Sequence, residues 1–118
     1  MEYVKADQYS KEKLIIHTHF RLPTAYLRPQ YIKDGYQEFR SDEHTTYEKV
    51  PDVYLAMFAA DGITLVHCED GHKLVLEKGE MFSWKEVLET VLNILGEHLV
   101  PRPTLVEIKE PAEEKQEE

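Results

Sequence analysis

Two histidines one residue apart, His17 and His19, have the spacing best suited to chemistry in this 118-residue chain. On a β-strand, side chains two positions apart leave the same face. Two imidazoles so placed could hold one divalent cation, which would polarise a water or a phosphate oxygen. Further ligands would come from His44, His67, His72 or a carboxylate. The same spacing also describes two ordinary solvent-facing histidines on a strand. A second cluster runs from His67 and Cys68 through Glu69 and Asp70 to His72. Adjacent strand residues point to opposite faces, so His67 is not set to deprotonate Cys68, and Cys68 reads as a small buried apolar residue. The third grouping interleaves cations with aromatics: Arg21, Tyr26, Arg28, Tyr31, Tyr36 and Arg40. Tyrosine joins a large contact area to a polar tip, which suits a surface that binds another protein. The chain has no glycine-rich phosphate loop, no CxxC pair and no Gly-x-Ser-x-Gly elbow.

The run Ile16-His17-Thr18-His19-Phe20-Arg21 resembles the metal-binding strand of dihydroorotase-type amidohydrolases. That resemblance implies a (β/α)₈ barrel of ~250 residues, and 118 residues fall short of one. The His-x-His spacing also resembles HUH endonucleases, in which such a strand holds a metal and a tyrosine attacks the DNA phosphodiester. On that resemblance Tyr26, Tyr31 or Tyr36 would be the nucleophile. Thr18 stands where that pattern has an apolar residue, and a net charge of −9 opposes gripping a polyanion.

The elements that must position these residues are marked by turns. Three of the five glycines follow an aspartate, at Asp34-Gly35, Asp61-Gly62 and Asp70-Gly71. A two-residue hairpin turn of type I′ needs positive φ twice, which Asp tolerates and Gly adopts freely, so each pair predicts an antiparallel reversal. Residues 1 to 10 are polar and read as loosely ordered. Lys13 to Arg21 reads as a strand with Leu14, Ile16, Thr18 and Phe20 on one face and Ile15, His17 and His19 on the other. Pro23 and Pro29 bound an extended segment, Gln30 to Phe39 forms a hairpin, and Thr45 to Val50 adds a strand. Val53 to Ala60, Ile63 to Cys68 and His72 to Lys78 read as a meander in which two-residue loops set Leu65 opposite Leu76. Leu55, Met57, Val66 and Val75 would then share a face that the extended Tyr-rich segment or a second copy of the chain should cover, and the homodimer is the favoured reading. Ser83 with Glu86 forms a capping box, and Trp84, Val87, Leu88, Val91, Leu92 and Leu95 recur at helical spacing. Thr104 to Lys109 closes the domain as a strand.

The expected fold is α+β. An antiparallel sheet of about five to seven strands is covered by one C-terminal amphipathic helix over about residues 84–96. Residues 1–109 form a single domain, followed by an acidic tail, 110–118, with five glutamates and one lysine. One cysteine excludes an internal disulfide, and no apolar run reaches the ~18 residues of a spanning helix, so an intracellular, cytoplasmic chain is expected. A single asparagine and abundant glutamate fit a thermophilic source. The functional expectation is an acidic binding or regulatory protein without a cofactor. It acts as a homodimer and engages a protein partner, a basic one by charge, through the aromatic segment; nucleic acid and membranes are disfavoured. The alternative is a small metal-dependent nuclease or hydrolase with one divalent metal on His17 and His19.

Overall fold

Alternation of apolar and polar residues builds most of the molecule. A computed structural model describes residues 3–60, 62–99 and 102–109. Among them, six strands form one sheet in the order β3-β7-β8-β2-β1-β9. These are β1 (Tyr3–Gln8), β2 (Lys13–Thr18), β3 (Ala25–Leu27), β7 (Ile63–Cys68), β8 (Lys73–Lys78) and β9 (Thr104–Lys109). A smaller sheet, β4-β5-β6, comprises β4 (Ile32–Lys33), β5 (Tyr36–Arg40) and β6 (Thr45–Lys49). Two helices, α1 (Asp52–Ala59) and α2 (Trp84–His98), complete a mixed α+β fold whose pairings are antiparallel except for β1 with β9.

The register explains the core. Leu27, Val66, Leu76 and Leu14 line up across four strands, and Ala25, Cys68, Leu74, Ile16 and Ala6 line up beside them. Side chains in one such row share a face, and apart from half-buried Ala25 all of these are buried beneath the helices. The opposite face carries Tyr26, His67, Val75, Ile15 and Asp7 in one row and Lys73, His17 and Lys5 in the next. Residues 3 to 8 are therefore an interior strand, not loosely ordered, because Val4 and Ala6 alternate into the core.

α2 is the helix the sequence spells out. Ser83 Oγ accepts from the Glu86 N–H at 3.3 Å and donates to Glu86 Oε1 at 2.9 Å, which closes the first turn. The apolar stripe is buried as expected, with Ile94 added to it. Trp84 Nε1 donates to Lys11 O at 3.0 Å and ties the helix start to the β1–β2 turn. The helix runs through Gly96 to His98, and the glycine leaves room for the returning chain. A Cβ there would lie 2.6 Å from Arg102 Cα, and the Arg102 side chain binds back to Asn93 (2.6 Å) and Glu89 (3.2 Å).

Two local expectations are corrected. Asp52 to Ala59 is α1, not the first strand of a meander, so the Asp61-Gly62 pair closes no hairpin; Gly62, at φ 104°, leads into β7 after a helix, and Asp61 lies outside the described residues. Pro51 precedes the first turn and Asp52 sits where the N-terminal dipole favours an acid. Val53, Tyr54 and Met57 then face inward with one-turn spacing. At Asp70-Gly71 the reversal is present, but β7 and β8 are joined by four residues, so Leu65 pairs with Glu77 and Leu76 with Val66. The Asp70 carboxylate accepts the His72 N–H at 2.9 Å, and the flanking carbonyls are used elsewhere: Gly71 O takes the Leu22 N–H and His72 O takes the Thr18 N–H. The supposed apolar face is thereby dispersed. Met57 and Val66 join the helix-side core, while Leu55 and Val75 are half-buried in different places.

Candidate functional site

Apolar side chains left in water are concentrated in one place. Of eight large hydrophobic residues exposed among those described, five belong to β3, β4–β6 and the turn between them: Tyr26, Tyr31, Tyr36, Phe39 and Tyr47. With Arg28, Lys33 and Arg40 they line an open groove between the edge of the large sheet and the small sheet. The small sheet is an arm. Every residue of β6 is exposed, and the arm meets the body through few contacts.

Those contacts are specific. Lys33 pairs with Tyr36 across a two-residue turn in which Asp34 (φ 54°) and Gly35 (φ 85°) both take positive φ, the type I′ geometry that the sequence predicts. Leu55 of α1 lies under that turn. The Val50 N–H reaches Gly35 O at 2.8 Å as the chain leaves β6 for α1. The decisive contact is Gln37, the one buried polar residue of the arm. Its Nε2 donates to Tyr26 O at 2.9 Å and its Oε1 accepts the Arg28 N–H at 3.3 Å. A side-chain amide thus occupies the place of a neighbouring strand at the outer edge of β3.

Electrostatics mark the groove off from the rest of the chain. The protein carries −9 overall, whereas the groove is lined by three cations against Asp34 and Glu38. Arg40 pairs with Glu38, whose hydrogen bond and charge hold the guanidinium above its ordinary pKa. Lys49 lies 5.9 Å from the centroid of Tyr36. Among the described residues no carboxylate lies within ion-pair distance of Arg28 or Lys33. The Tyr26 ring packs at a tilt of 49° against His67, with centroids 4.6 Å apart, on the large-sheet side of the groove.

The structure gathers Tyr26, Arg28, Tyr31, Tyr36 and Arg40 from the predicted set into this groove and leaves Arg21 out of it, packed over Gly71 in the β7–β8 loop. Phe39, Tyr47 and Gln37 were missed. Alternation along the hairpin could have flagged Tyr47, which shares a face with Tyr36 and Arg40; Phe39 lies on the other face, with Gln37, and nothing in the sequence marks either of those two. The histidines are scattered. His17 is exposed in β2 with Lys5 and Lys73 as its cross-strand neighbours, and His19 lies beyond the strand's end with its ring edge-on to Phe20. Among the described residues no group of three His, Cys, Asp or Glu side chains is placed to hold a metal ion. Cys68 is buried, as expected, beside the buried Tyr54 hydroxyl, which donates to Pro23 O. Burial first, and then the Cys68 thiol, pushes the Tyr54 phenol far above its ordinary pKa. No described helix is long and apolar enough to cross a membrane. No protein-family model, curated protein or solved structure matches this chain.

Proposed function

We propose that this chain is a non-catalytic binding protein that engages a protein partner through the groove formed by β3 and the arm. One observation carries the reading: most of the exposed large aromatics fall within one short stretch, around Arg28 and Lys33. Aromatic and arginine side chains are the groups that dominate binding energy at protein interfaces. The acidic body draws a basic partner in, and the groove's tyrosines then take its apolar anchors.

The test is quantitative capture from extracts of the source cells, comparing the wild-type chain with Tyr31→Ser and with His17→Ala. A partner lost with Tyr31→Ser, retained with His17→Ala and released as salt rises supports the reading. Partners indifferent to Tyr31→Ser overturn it. The metal-dependent alternative, with His17 and His19 as ligands, gains only if the purified protein carries a stoichiometric divalent metal that His17→Ala removes.

A further inference from the structure

The arm ends in β6, paired with β5 on one side and open on the other. Val50 N–H donates to Gly35 O, and Ser41 N–H donates to His44 O, each at 2.8 Å. These bonds bracket the β5–β6 ladder, in which Gln37 opposes Glu48 and Phe39 opposes Thr46. Backbone direction alternates along a strand, so the even-numbered residues of β6 turn their amides and carbonyls toward β5. Thr45, Tyr47 and Lys49 turn theirs outward, where β6 is the edge of its sheet and no described residue bonds to them. The strand has no proline and no bulge, two of the devices that blunt free edges. The other edges near the groove differ: β3 is sealed by Gln37, and β4 is two residues long behind Pro29.

We infer that β6 pairs antiparallel with β6 of a second copy, about a two-fold axis at Tyr47. In that register Tyr47 meets the second copy's Tyr47 and Thr45 meets its Lys49, each pair exchanging two backbone hydrogen bonds through the outward groups. Thr46 meets the second copy's Glu48 in the closer, non-hydrogen-bonded pairing. No like charges face each other. Moving the axis to Glu48 would set two glutamates opposite one another, which disfavours that slip. The joined arms form one sheet from β4 through both β6 strands to the second β4. The tyrosine-bearing faces of the two copies become continuous. The pairing does not depend on what fills the groove, and Thr46 does not line the groove.

Sedimentation equilibrium of the purified chain tests this with three variants. Tyr47→Pro removes an N–H that points to solvent in a single chain and is tolerable on an edge strand; it should yield a monomer with unchanged circular dichroism. Thr46→Lys, facing Glu48 at two symmetric positions, should tighten the dimer, and Thr46→Glu should loosen it, each by roughly 2- to 30-fold in Kd. The Thr46 pair decides the matter even if Tyr47→Pro does not fold. Three results overturn the inference: a wild-type chain that stays monomeric to millimolar concentration, as it would if β6 served an extended segment of another protein; a dimer that survives Tyr47→Pro; or Thr46 variants that shift Kd in the same direction. Partners indifferent to Tyr31→Ser, alongside a dimer that responds to the Thr46 variants as expected, would refute the groove reading alone.

Discussion

The body and the arm are built from the same kinds of strand and hairpin, yet they hold their shape by different means. In the body, β2 and β8 bury alternate residues between neighbours on both sides, and Leu14, Ile16, Leu74 and Leu76 are wholly inaccessible. In the arm, all of β6 and most of β5 face water, and order comes from turn chemistry and a few hydrogen bonds. Hydrophobic burial is distributed and tolerates no single loss cheaply, whereas the arm hangs on Gln37. A region left so exposed contributes little to stability, and burial does not account for its large aromatics.

Substitutions should separate the two regions. The largest effect belongs to the body: Leu76→Ala should cost about 2–5 kcal/mol in urea unfolding, through lost burial and the cavity it leaves. Gln37→Leu should cost about 1–3 kcal/mol by orphaning Tyr26 O and the Arg28 N–H. Its signature is regional, with faster hydrogen exchange across residues 32–49 and unchanged protection in β2 and β8. Uniform loss of protection would mean that the arm is part of the body's cooperative unit. Tyr54 gives a pH test of the core. Its phenol is neutral in the fold well past the value near 10 at which an unfolded chain ionises. The stabilisation is complete below pH 10 and declines above it, by about 1.4 kcal/mol per pH unit. Tyr54→Phe should remove that slope, and a slope identical to wild type would contradict the burial of the hydroxyl. The smallest effect is on the arm: Tyr31→Ser should change stability by no more than about 0.5 kcal/mol, and a larger loss would make the groove a structural feature.

What could be read in the sequence follows the same division between explicit local signals and distributed ones. α2 was legible because its capping box and 3.6-residue stripe agree. The Asp34-Gly35 turn was legible because both residues take the conformation the pair favours. α1 was not, since Val53 to Ala60 is apolar on every side and a short run without period reads equally as strand or helix; Pro51-Asp52 was the overlooked start signal. The Asp70 turn misled the register by one residue because its carboxylate and carbonyls bind the chain around it, including Thr18 and Leu22. Of the groove, tyrosine and arginine interleaving revealed the lining. Its assembly depends on Gln37 meeting β3 across eleven residues, from Tyr26 to Gln37, which composition does not encode.

The Gln37 amide has one more consequence. A strand edge covered by backbone is shielded by a whole ladder; the edge of β3 is shielded by a single removable plug, carried on the arm itself. If the arm lifts, the Tyr26 carbonyl and the Arg28 amide become a bare template at the border of a six-stranded sheet, the situation from which runaway strand addition begins. The arm thus also covers an edge open to strand addition, and any partner that pulled it away from the body would have to cover that edge in its place.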